Sequence, residues 1–390
     1  MGIYSDYLDR HMGFEELAQE RKAWLKKISD LRGGHDILVY AGDVNKRAPI
    51  SIDNSDVIPF TDLLGDLKGS DAIDIIIQTP GGIADVVERF VNLLRDKYKN
   101  VSVIVPGIAM SAGTIFSMSA DEILMGKSSS LGPIDAQILW NGKQYSAGAF
   151  LDGLDKIKED IEKNNGRLNP IYIPILQGIS PGEIQHNENA QELSASLVRD
   201  WLVKYKFSHW TTHSSSGTPV TLDEKKKRAR DIAEKLGKNS HWLTHSRPLG
   251  IKELKDLKLQ ITDYTEIPEL NDAISRYFIL LSMTFDNSGI YKVYETIDKQ
   301  IYRSLQAPTN VPAVAPGVAP PPDKVMIDYT CPKCGTHLNI QGNLRADIPL
   351  EKGAIPFPAN NVIICPKCRT TQNVQRVRMD VEAQLKRKIV

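Results

Sequence analysis

"AIDIIIQTPGGIADVVERFVNLLRDKYKNVSVIVPGIAMSAGTIF", residues 72–116, runs from an apolar stretch through two glycines into an amphipathic stretch, then through a second apolar stretch into a second turn of small residues. The runs at 72–77 and 101–105 are nearly continuous in Ile and Val, the pattern of strands buried on both faces of a parallel sheet. Between them Val86, Val87, Phe90, Val91 and Leu94 form one stripe, with Asp85, Glu88, Arg89 and Asp96 away from it, which predicts a helix packed on that sheet by one face.

The rhythm continues outward. "DILVYAG" at 36–42 and "EILM" at 122–125 read as further strands, and "IPFTDLLGDLKG" at 58–69 and "SAGTIFSMSA" at 111–120 as further helices. Residues 5–33 are charged and lightly amphipathic up to the Gly33–Gly34 pair, and are expected to form a helical surface arm over 1–35. From about 150 to 303 the pattern is mainly helical. Residues 307–322, "APTNVPAVAPGVAPPP", have the composition of an extended, semi-rigid linker. The expected division is an arm at 1–35, a main α/β domain at 36–303, a linker at 304–324 and a small module at 325–390.

The chain has 390 residues, 48 basic against 48 acidic, and no net charge, so nothing in its balance favours nucleic acid or an acidic surface. The Lys and Arg run from Lys225 to Arg230 is flanked by acids and reads as a solvated helix face. No run reaches the 18 or so apolar residues of a spanning helix, and residues 1–17 lack a signal peptide's apolar core, so a cytoplasmic location is expected.

All four cysteines lie in the last fifth of the chain, as "CPKCG" at 331–335 and "CPKCR" at 365–369. Two C-x-x-C pairs, Cys331/Cys334 and Cys365/Cys368, supply the four thiolates of a tetrahedral zinc site. Four protein ligands leave no open position, so one structural zinc in a small β ribbon is expected. The flanking residues show no basic, aromatic-rich face for nucleic acid.

Ser111, in "AMSAGT" at 109–114, stands where the strand at 101–105 gives way to a helix. A serine there lies near the free N–H groups and positive end of that helix, an environment that favours developing negative charge. Ala112 and Gly113 keep the approach open. Gly81 and Gly82, at another strand end, allow backbone to approach a ligand closely, and parallel sheets place ligands at the carboxyl ends of their strands. The other reading is a small polar residue filling a tight turn.

"TPGG" followed about thirty residues later by "AMSAGT" and then by "DEILMGKSSSLGPIDAQ" resembles the Clp-protease and signal-peptide-peptidase clan of serine peptidases, within the wider crotonase-like fold. The nearest resemblance is to the SDH proteinase family, whose "AMSGGT", "ADEI" and "LGPVDPQ" are similar to residues 109–114, 120–123 and 131–137. "HWLTHSRPL" at 241–249 resembles its "WTHDYPI" with one residue inserted, and the resemblance covers roughly residues 36–265. It implies a ClpP/crotonase-like α/β core, a serine endopeptidase acting on peptides or unfolded protein segments, and a homo-oligomer. Ser111 matches the nucleophile, and Gly81 with Ala112 the oxyanion-hole donors, with Gly82 beside them. A Clp-type histidine would fall near 133–136, where none exists. The family's order of Ser, Asp, His instead points to Asp135 and His245, with His186, His209, His213 and His241 as competitors. A Ser-Lys dyad drawing on Lys127, Lys143, Lys156 or Lys163 is the mechanistic rival, and a catalytically silent assembly platform the functional one. No G-x-G-x-x-G fingerprint is present.

Overall fold

Seven strands form the main sheet of the computed structural model, which describes residues 2–67, 69–140, 143–213, 216–305, 323–385 and 387–390. In chain order they are β1 (Asp36–Gly42), β2 (Ala72–Gln78), β3 (Asn100–Val105), β4 (Glu122–Met125), β5 (Thr262–Asp263), β6 (Ile290–Glu295) and β7 (Gln300–Ser304), arranged β7-β6-β1-β2-β3-β4-β5. β1 to β5 run parallel to one another. Every residue of β2 is buried, as its continuous apolar run requires. The helix Ala84–Lys97 returns the chain between β2 and β3 and buries the predicted stripe of Val86, Val87, Phe90, Val91 and Leu94.

Helices dominate residues 147–286, but the chain then returns to the sheet. β6 pairs antiparallel with β1, setting Tyr294 opposite Tyr40, whereas the sequence reading extended a helical region to 303. The lysine inside "IYKVYE" disguises this strand. Lys292 is only 1% exposed, and its ammonium meets Asp56 Oδ1 and the Ser51 carbonyl, both at 2.7 Å. Asp56, equally buried, also accepts from the hydroxyls of Tyr40 and Tyr294 and from the Asp53 amide. A charge taken out of water persists only when paired and hydrogen-bonded, and here each carboxylate oxygen has partners.

The described chain divides into two compact units. The first comprises residues 22–275 and 292–302 and carries most of the sheet. The second comprises 1–21, 276–291 and 303–390, so the cysteine module clusters with both of those other segments rather than standing alone. Within it the Gly289 amide donates to Asp380, and Lys388 pairs with Glu16 at 3.9 Å. The N-terminal residues are helical over Ile3–Asp9 and Phe14–Leu31, with Leu17, Leu25 and Ile28 fully buried and many of the charged residues between them exposed. The expected linker at 304–324 falls mostly on residues outside the described ones. Among the described residues no helix is long and apolar enough to cross a membrane.

Removing one partner of the Lys292–Asp56 pair leaves a buried charge uncompensated. Lys292→Met is expected to cost about 3–5 kcal/mol in urea denaturation, and adding Asp56→Asn to recover part of it.

Candidate active site

Beyond the carboxyl ends of the central strands, short backbone pairings form a second row. Ile52 pairs with Gly82, Thr79 with Ala109, Ala109 with Leu131, and Leu131 with Leu249. Neighbours in such a row lie about 4.8 Å apart. The row therefore sets side by side the loops that carry the glycine pair, Ser111, Asp135 and His245. Thr114 ties two of them, accepting from the Gly132 amide at 2.8 Å and donating to the Ala109 carbonyl at 2.9 Å.

Ser111 sits immediately before the helix Ala112–Met118 with φ 52° and ψ −115°. A left-handed φ is costly for any residue with a Cβ and persists only where the surroundings impose it. Gly81, at φ 110°, faces this turn so closely that a Cβ on it would lie 2.6 Å from Ser111 Cβ and 2.9 Å from the Met110 carbonyl. Gly82, at φ 150°, is pressed against Ile52, where a Cβ would lie 2.2 Å from the backbone oxygen. Glycine is required at both positions, and the two loops are in contact at Ser111.

The backbone donors differ. The Gly81 amide is already committed to Thr79 Oγ1 at 3.2 Å. The amides of Gly82 and of Ala112, the first residue of its helix, take no partner among the described residues. Open amides beside a half-buried serine can receive an anion.

Asp135 is 1% exposed, and three side chains saturate its carboxylate. Gln137 Nε2 and Asn239 Nδ2 each reach Oδ2 at 2.9 Å, and His245 Nδ1 lies 2.7 Å from Oδ1. The carboxylate fixes the imidazole through Nδ1, which leaves Nε2 without a partner among the described residues on a ring that is 26% exposed. Of the competing histidines, His186, His209 and His241 are exposed, and His213 pairs with Glu224 at 3.1 Å. Asp135 and His245 are thus joined, and the Ser111 hydroxyl has no hydrogen bond to either of them or to any other described residue. Gln137 and Asn239 were not singled out from the sequence. Gln137 follows Asp135 by two residues and could have been noticed, whereas nothing local marks Asn239, 104 residues away.

In the second unit the four cysteine Sγ atoms lie within 4.8 Å of one another, with Cys331–Cys368 at 3.7 Å and Cys334–Cys365 at 3.6 Å. A disulfide would need about 2.05 Å, whereas a tetrahedron of sulfurs about 2.3 Å from a central ion has edges of about 3.8 Å. The cluster therefore fits a metal ion. Its two knuckles are built alike: Gly335 and Arg369 donate to the Cys331 and Cys365 carbonyls, and both residues have positive φ. A hydrogen bond from the Thr370 hydroxyl, then one from its backbone, draws the Cys368 thiol down to about 6.

Residues 51–171 match the ClpP-like SDH-type serine proteinase family. Among curated proteins, the uncharacterized protein MJ1495 of Methanocaldococcus jannaschii is 32% identical over 196 residues, 50% of this chain and 53% of that one. The uncharacterized protein MJ0137 of the same organism is 31% identical over 171 residues, 41% of this chain and 53% of that one. The chain thus spans about half the length of the curated relatives it matches. Solved structures that align include a membrane-bound stomatin-specific protease, at 16% identity, 56% of this chain, 79% of that one and TM-score 0.31. A probable enoyl-CoA hydratase/isomerase from Mycobacterium abscessus aligns at 12% identity, 63% of this chain, 80% of that one and TM-score 0.28.

The contact between Gly81 and Ser111 leaves no room for a methyl group. Gly81→Ala is expected to lose about 1–3 kcal/mol in chemical denaturation through overpacking; a stability within a few tenths of the wild type would show that the two loops are not packed as described.

Proposed function

We propose that this chain is a serine peptidase in which Ser111 is the nucleophile, His245 the general base and Asp135 the group that orients it. The observation that carries this reading is the 2.7 Å bond between His245 Nδ1 and the buried Asp135, formed across 110 residues of sequence. In the proposed reaction Ser111 Oγ bonds to the scissile carbonyl carbon while its proton passes to His245 Nε2. The carbonyl oxygen becomes an oxyanion held by the free amides of Gly82 and Ala112, with Gly81 supplying the space that lets the loops meet. Collapse breaks the C–N bond, the amine leaves with the proton from His245, and water then hydrolyses the acyl-enzyme by the reverse use of the same base. The Ser111–His245 hydrogen bond closes when substrate occupies the site, since such bonds are often open in a free enzyme.

The lysine rival is disfavoured by exposure. A Ser-Lys dyad needs a buried lysine, whereas Lys127, Lys156 and Lys163 all face solvent and the Lys143 side chain lies outside the described residues. The substrate class is a peptide or unfolded protein segment, taken by a homo-oligomer in the cytoplasm. Residues 325–390 form a recognition or assembly module around one structural zinc held by Cys331, Cys334, Cys365 and Cys368.

The test is intact-protein mass after incubation with a fluorophosphonate. Wild type should gain one adduct, Ser111→Ala none, and His245→Ala and Asp135→Asn should label at least a hundredfold more slowly. Labelling that survives His245→Ala at full rate would remove His245 as the base, and an unlabelled, well-folded wild type would favour the silent platform.

Elemental analysis of the purified chain should find one zinc, lost in Cys334→Ser and in Cys368→Ser. A strong chelator should then abolish amide protection over residues 324–385, because metal binding supplies folding free energy to so small a core.

A further inference from the structure

The first unit contains a cavity of about 740 Å³ between the segment 206–213, the helix Leu222–Gly237 and the starts of β4 and β5. It opens at the amino-terminal end of the parallel strands. The helix Ala112–Met118 spans about 10 Å along the sheet and leads from Ser111 toward Asp121, a wall of this cavity. The cavity and the serine therefore lie at opposite ends of the strands.

Its charges are unbalanced. Asp121 is committed to Arg95 at 2.7 Å and to the Val101 amide at 2.8 Å. Glu122 uses one oxygen for Arg32 and the other for Thr262, both at 2.7 Å. The cations on the wall have no such partners: among the described residues no carboxylate lies within ion-pair distance of Lys206, Arg228 or Lys258. Lys206 reaches only the Asp121 carbonyl, at 3.5 Å. It ends a π-helical turn, Leu202–Lys206, a rare conformation that recurs at functional sites. Burial draws its ammonium down to about 8 against the opposing pull of Glu122 and Asp121. Arg228 lies over the Trp210 ring, 5.4 Å from its centroid, which fixes the guanidinium on the wall and supplies an apolar face.

We infer that this cavity is a second binding site, distinct from the serine centre, that takes a small organic anion through Lys206 and Arg228, with its carboxylate or phosphate between the two cations and its body against Trp210. The volume suits a metabolite-sized molecule rather than a bare ion.

The experiment is isothermal titration of the full chain with succinate and with phenyl phosphate, on wild type, Lys206→Met and Arg228→Gln, each checked for fold by circular dichroism. At least one probe should bind with a millimolar or tighter Kd that weakens at least tenfold in Arg228→Gln and in whichever Lys206 variant folds. The probe that binds identifies the carboxylate or the phosphate as the recognised group. Fluorophosphonate labelling of Ser111 should proceed at the wild-type rate in Arg228→Gln, which separates this site from the peptidase reading. Failure of both probes to bind wild type, or binding unchanged in a folded Arg228→Gln, would overturn the inference.

Discussion

The arrangement of the candidate active site depends on one close approach, that of the Gly81–Gly82 backbone to two other segments. Gly82 fits against the backbone of Ile52, and Gly81 against the Cβ of Ser111. Neither contact admits a side chain, and both backbones take positive φ. The strain at Ser111 is opposed by the pairing of Thr79 with Ala109 on one side and of Ala109 with Leu131 on the other. A serine at φ 52° is thus imposed by its neighbours, which hold the turn at a cost of about 1–3 kcal/mol.

Asp135 poses a second constraint. Burying a carboxylate to 1% exposure is costly unless its lone pairs are met. Gln137, Asn239 and His245 meet them, and each arrives from a different element. Two of the three are side-chain amides, and the third is the imidazole. A histidine held at Nδ1 by a saturated acid has only Nε2 with which to exchange a proton, which is what a general base requires.

The elements that proved legible in the sequence are those whose signal is local. The stripe of the helix Ala84–Lys97 and the strand Glu122–Met125 follow from hydrophobic pattern alone, because burial against one neighbour dictates it. The two C-x-x-C pairs are equally local, and their thiols converge as the spacing implies. Asp135 and His245 were reachable only through motif resemblance, since no local rule separates His245 from seven other histidines. The strand Ile290–Glu295 was missed because Lys292 interrupts its pattern, and its compensation by Asp56 lies 236 residues away. The resemblance placed a donor on Gly81 with Gly82 beside it; the hydroxyl of Thr79, which occupies the Gly81 amide and not that of Gly82, is visible only in the fold.

The same distinction between local and distant partners accounts for the charge at the other end of the sheet. Asp121 and Glu122 begin β4, where two acids in succession read as an ordinary strand start. In the fold Arg95, from the helix that precedes β3, and Arg32, from the turn that follows the helix Phe14–Leu31, cover them. Each acid is thus engaged by an arginine, and neither lies within ion-pair distance of Lys206 or Arg228. A half-buried wall with its acids already paired and its bases not is unfavourable in isolation, because neighbouring like charges repel. Such an arrangement persists more readily when something of opposite sign returns that cost on binding. The amides of Gly82 and Ala112, without partners among the described residues, thus lie at the carboxyl end of the parallel sheet and the cations Lys206 and Arg228 at its amino end, with the short helix Ala112–Met118 running between them.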